Sequence, residues 1–77
     1  MVMNKEFEIK LGHNIRQFRE KSGLTQEQLS AQLQTRGCDI TRSALAKMEV
    51  GQRHIYPDEL KLLKEILHVS YEELLSF

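Results

Sequence analysis

Apolar residues recur along this chain at helical spacing and never alternate as they would in a strand. Leu11, Ile15 and Phe18 form one stripe, Leu29 and Leu33 a second, Leu45 and Met48 a third, and Leu60, Leu63 and Leu67 a fourth. These ten positions are the expected core of an all-α domain. The polar residues between the stripes mark where each helix starts and stops. Thr25 with Gln28 three residues on has capping-box spacing, and Gly37 stops that helix in the left-handed region. Thr41 offers a second N-cap, and Gly51 a second stop. Pro57 followed by Asp58 and Glu59 opens another helix, since proline suits the first turn and acids favour the positive helix end. Tyr56 would be its N-cap, a poor capping residue, so another group or water must satisfy those amides. Ser70 with Glu73 forms a last capping box, opening a short helix through Leu74 and Leu75.

The stretch from Leu24 to Gly51 therefore writes two short capped helices around a polar turn. The second carries Arg42, Ser43 and Lys47 on one arc opposite Leu45 and Met48. Cations and a small hydroxyl near a helix N-terminus can reach base edges in a DNA major groove, where an Arg or Lys to guanine contact is the commonest specific pairing. On an isolated helix the same arc would be an ordinary solvated face. The succession of helices favours the DNA reading.

The residues Gly12, Ile15, Arg19, Gly23-Leu24-Thr25-Gln26, Leu29, Thr41-Arg42-Ser43, Lys47-Met48-Glu49 and Gly51 resemble the Cro/Xre-type helix-turn-helix regulators, the class of the lambdoid phage repressors. The resemblance runs from about Leu11 to Leu75. It implies a five-helix lambda-repressor-like domain whose third helix enters the major groove while the second crosses above the backbone. It also implies roles for single residues. Gln26 matches a phosphate-contacting position at the start of the second helix. Thr41, Arg42, Ser43 and Lys47 match positions facing phosphate or bases, with Arg42, Ser43 and Lys47 the base-reading candidates. Gln52, Arg53 and His54 lie in the loop that rests on the sugar-phosphate backbone in this family. Arg19 and Glu49 match a buried ion pair between the first and third helices; two independent surface charges, with Arg19 donating to phosphate, are the alternative.

The chain also departs from that pattern. The connection between Leu29 and Thr41 is several residues longer than in the short phage repressors, so the second helix is expected to gain a turn. Arg36 in this extension either neutralises the carbonyl end of that helix or reaches a phosphate. Lys64 stands where relatives carry a small apolar residue, and His68 where they carry glycine.

With 77 residues, the chain reads as one domain: residues 1–10 an N-terminal arm or the start of the first helix, and residues 11–77 the helix-turn-helix domain. A chain this short buries only about 60% of its unfolded surface, so each core side chain counts. Net charge is zero but unevenly spread. Residues 1–57 hold nine Lys and Arg against six acids, and residues 58–77 two against five. The reading half is basic. So few cations predict a modest, strongly salt-dependent complex with double-stranded DNA that relies on a homodimer. The candidate seam runs from Phe7 and Ile9 to Tyr71, Leu75 and Phe77, whose alternative is to cap the small core. A terminal aromatic such as Phe77 either folds back or meets a partner.

No apolar run approaches the ~18 residues of a membrane span. The N-terminus MVMNKEFEIK is charged where a signal peptide would be apolar, so a cytoplasmic protein is expected. Cys38, the single cysteine, allows no internal disulfide and reads as an inert thiol; His13, His54 and His68 show no metal-ligand spacing, and no metal or cofactor is expected. Neither a phosphate-binding glycine loop nor a nucleophile-base motif is present, so an enzyme is not expected. Two other functions fit the same pattern. One is an antitoxin-like or mobile-element regulator that also holds a protein partner through its acidic C-terminal surface. The other is a protein-interaction module without DNA binding.

Overall fold

Thr25, Thr41 and Ser70 each sit in extended backbone and accept an amide of the following turn, at 3.0, 3.1 and 3.0 Å. These caps start three of the five helices in the computed structural model, which describes residues 5–77. The helices are α1 (Lys5–Lys21), α2 (Gln26–Thr35), α3 (Arg42–Glu49), α4 (Pro57–Leu67) and α5 (Tyr71–Leu74), and there is no strand among the described residues. Gln28 and Glu73 return the bond to the backbone N–H of Thr25 and Ser70, closing both capping boxes. Tyr56 brings no capping side chain to α4. Glu59 Oε1 accepts the Tyr56 backbone N–H at 3.0 Å, the reciprocal half of a capping box. Residues 5–10 belong to α1, and residues 1–4 lie outside the described part of the chain.

The helices α1 to α4 all end the same way. An amide beyond each end donates back across the final turn: Leu24 to Arg19, Cys38 to Leu33, Gln52 to Lys47 and Val69 to Lys64. This motif needs one residue in the left-handed region. Glycine fills it at Gly23, Gly37 and Gly51, with φ between 74° and 81°, and His68 fills it after α4 at φ 57°. The histidine thus occupies a glycine's backbone conformation with a Cβ attached.

Among the described residues ten apolar side chains are buried together, eight of them almost completely: Ile15, Leu29, Leu33, Ile40, Leu45, Met48, Leu63 and Leu74, with Leu11 and Leu67 beside them. Phe18 and Leu60, expected inside, lie half-buried at its margin. Ile40 and Leu74 were not part of any expected stripe. Both come from segments too short or irregular to show a period, and both are carried inward by the packing of neighbouring helices. At Gly12, α1 meets the end of α3 backbone to backbone: a Cβ there would run into the carbonyl of Met48 and lie 2.9 Å from the carbonyl carbon and oxygen of Glu49. Only glycine permits this approach, and it holds α3 against α1.

The longer connection after α2 is packed into the fold. Ile40 is its anchor, and the Ile40 carbonyl accepts the buried Ser30 hydroxyl at 2.6 Å and the Gln34 amide at 3.3 Å. The backbone delivering Thr41 to the start of α3 is therefore held from α2. At the other end of the molecule, Asn14 donates to the carbonyls of Leu74 and Ser76, at 2.9 and 3.3 Å. Phe77 folds back edge-on to Phe7, ring centres 4.9 Å apart, with 48% of its own surface still exposed. The Lys64 ammonium lies 5.3 Å above the Tyr71 ring, which accounts for a long cation at this position of α4.

Candidate nucleic-acid interface

Leu45 and Met48 are fully buried, which turns Arg42, Ser43 and Lys47 outward into solvent along the opposite side of α3. Among the described residues, neither Arg42 nor Lys47 has an ion-pair or hydrogen-bond partner. Thr41, one residue earlier, spends a lone pair on the Ala44 amide and keeps its hydroxyl proton to donate. The arc thus combines free long cations with a small hydroxyl at the start of a helix.

Behind the arc lies a saturated ionic network. Arg19, 7% exposed, donates through Nε to Glu49 Oε2 at 2.7 Å and through Nη2 to Glu49 Oε1 at 3.1 Å, while its Nη1 reaches the Leu24 carbonyl at 2.8 Å. Glu49, 4% exposed, accepts a third bond from the Gln26 amide at 3.0 Å. The hydrogen bond to Glu49 raises the Arg19 pKa against the opposing effect of burial, so the guanidinium stays charged. A buried fork of this kind adds little net stability over apolar packing, but each partner makes the other indispensable. Three elements meet in it: α1 through Arg19, the start of α2 through Gln26 and the end of α3 through Glu49. Gln26, expected at a phosphate, directs an amide proton inward here.

The cations of the loop after α3 are held differently. Gly51, buried against Ile9, has a carbonyl that accepts the Lys5 ammonium. Arg53 donates to both carboxylate oxygens of Glu59, at 2.9 and 3.0 Å, and to the His54 carbonyl at 2.9 Å. His54 donates from Nδ1 to Glu8 Oε1 at 2.7 Å and sets its ring edge-on to Tyr56. Gln52 remains exposed. The Arg53 hydrogen bonds hold the Glu59 carboxyl below the ordinary carboxylate range against the opposing cost of burial, with the Tyr56 amide assisting. Two residues expected at the DNA backbone are thus paired with acids. Glu59 and Glu8 carried no sequence signal for these partnerships, because Arg53 and Glu59 are joined across a loop and His54 and Glu8 are 46 residues apart. Arg36 likewise turns to α4, reaching Glu65 at 2.7 Å, while backbone amides serve the end of α2.

A further cation, Arg16 of α1, enters the region from the side. It lines a cleft with Arg19, Thr25, Gln26, Glu27 and Arg42, where α1 faces the starts of α2 and α3. Its sequence signal is its place one helical turn before Arg19. Cys38 is half-buried, and burial first, then the nearby Glu59 and Asp58, push its thiol pKa up, away from the reactive thiolate. Among the described residues no group of His, Cys, Asp and Glu could hold a metal ion, and no helix is long and apolar enough to cross a membrane.

Comparison with known proteins agrees with this geometry. A family model described as helix-turn-helix matches residues 15–74. The control protein C.BamHI of Bacillus amyloliquefaciens is 29% identical over 76 residues, covering 97% of this chain and 88% of that protein. No solved structure matches. Five helices, two consecutive caps around a turn, an outward cationic arc and a family match over most of the chain lead to one conclusion: this chain belongs to the Cro/Xre-type helix-turn-helix family of DNA-binding transcriptional regulators.

Proposed function

We propose that the protein binds specific double-stranded DNA sequences as a symmetric homodimer, with α3 of each copy in the major groove, and that it acts as a repressor. The observation that carries this reading is the freedom of Arg42 and Lys47. Other arginines at the surface and in the core find acids, whereas these two project beside Ser43 with none among the described residues. Arg42, Ser43 and Lys47 are assigned to base edges, and Thr41, Gln26 and Gln52 to flanking phosphates. Arg53 and His54 shape the loop that presents Gln52, with phosphate contact open to them only in competition with Glu59 and Glu8. Likeness to a control protein supports a regulatory role. Repression is preferred because a bound domain of this size blocks a promoter without needing another contact.

The dimer reading rests on charge and on leftover apolar surface. One copy with this few free cations makes few phosphate contacts, and pairing doubles them. Phe7, Ile9, Tyr71, Leu75 and Phe77 stay between 39% and 48% exposed although Phe77 has folded back. Selection of bound duplexes from random DNA tests the whole reading at once. The expected result is a near-palindrome with half-sites about ten base pairs apart or a multiple of that. An asymmetric site occupied by one chain in sedimentation would overturn the dimer, and absence of salt-dependent retention on any duplex would overturn DNA binding itself.

A further inference from the structure

Arg16 is held unlike the other paired arginines. Among the described residues its contact is a single one, to Glu20 one turn along the same helix, at 3.4 Å, with both side chains 54% exposed. An exposed pair at that spacing is weak and screened by salt. The arginines that brace the fold instead lie within 2.7–3.1 Å of their acids. Arg16 also shares its cleft with Arg42, which has no partner among the described residues, although the two belong to different helices. The third guanidinium there, Arg19, is already matched by Glu49, and Glu27 is the one acid in the lining. Arg16 and Arg42 thus bring two guanidinium groups to one cleft whose lining holds a single acid, Glu27, and a phosphate seated there gains charge-assisted hydrogen bonds from both.

We propose that Arg16 is a phosphate-contacting residue, taking a backbone phosphate of duplex DNA in the cleft beside Arg42, at the edge of the groove that α3 enters. The inference rests on the DNA-binding reading above and adds a contact from α1 to it. A guanidinium that gives up one long exposed bond to Glu20 can form a bidentate, charge-assisted bond to phosphate. The contact carries no sequence information and acts on every duplex equally.

The test is the salt dependence of duplex binding by the whole chain, on the selected sequence and on an unrelated one. Arg16→Ala should weaken both to the same degree and make the slope of log K against log salt shallower by about 0.9 per bound chain, with the selected motif unchanged. Arg16→Lys should keep the slope. Glu20→Gln, which frees Arg16, should tighten binding several-fold at low salt. Arg16 lies on the exposed side of α1 and alanine favours helix, so thermal melts of Arg16→Ala should match the parent and exclude misfolding. If the parent binds with a steep salt slope and Arg16→Ala leaves that slope untouched, the assignment is wrong while the DNA reading stands. If the parent shows no salt-dependent binding, both fall.

Discussion

The outward arc of α3 and the loop that follows it carry the same chemistry, cations beside hydrogen-bonding side chains, and use it in opposite ways. Arg42 and Lys47 have no partner among the described residues, whereas Arg53 is locked to Glu59 and His54 to Glu8. Free cations lower the cost of meeting a polyanion, because no intramolecular bond must break first. Paired side chains fix backbone, and here Arg53 with Glu59 ties the loop to α4 while the His54 bond to Glu8 ties it to α1. A cation's neighbours therefore decide its role more than its type or its place in a family pattern. Arg16, loosely tied to Glu20, stands nearer the first group than the second.

The strongest way to break this contrast is to strike the frame. Glu49→Ala leaves the Arg19 charge buried and unpaired, and should cost about 3–5 kcal/mol of stability in urea melts. Exchanging both residues for a well-packed apolar pair should recover much of that loss, since such a pair replaces the fork without stranding a charge. Additive losses in this double-mutant cycle would show that the two side chains do not act together.

The contrast sharpens when one cation from each group is removed. Arg42→Ala should weaken specific binding by about 1–3 kcal/mol and relax preference at one base position while leaving the thermal midpoint alone. Arg53→Ala should do the reverse, lowering stability by about 1–3 kcal/mol because the Glu59 carboxylate loses its fork. A drop in salt slope of about one with unchanged stability would instead make Arg53 a phosphate contact and dissolve the distinction.

Acid provides a third measure. The folded-state pKa of Glu59 lies below its ordinary value, so the pair stabilises the protein fully above the unfolded carboxylate range, about pH 4.3, and the benefit is lost as pH falls through the folded pKa. Urea midpoints followed from pH 7 downward should show the parent losing its advantage over Glu59→Gln only in that acidic window. A gap between the two proteins that is constant with pH would remove the charge from the explanation.

The smallest expected effect lies at the end of α4. His68→Gly should raise stability by about 1 kcal/mol, because it relieves a Cβ in the left-handed region at the end of α4. The selected DNA motif should not change. A loss of stability would mean that the imidazole contributes more than its backbone conformation costs.

Helix starts and stops were legible from sequence because capping is local: Thr25 and Gln28, or Ser70 and Glu73, lie three residues apart and need no distant partner. The stripes from Leu11 to Leu67 were legible for a similar reason, since helical period exposes which side must be buried. Ile40 and Leu74 escaped because a connection and a one-turn helix are too short to display a period. The pairing of charges was legible only through the family's pattern in the case of Arg19 and Glu49, and not at all for Arg53 with Glu59, His54 with Glu8 or Arg36 with Glu65. A charge in sequence has many candidate partners, and its choice among them depends on where the helices have been placed by their apolar faces. The sequence by itself thus determined the elements, most of the core and the composition of the outward arc of α3. Which cations remained without an acid among the described residues was decided by the tertiary structure, because close approach to an acid is a property of packed elements and leaves no local trace in the chain.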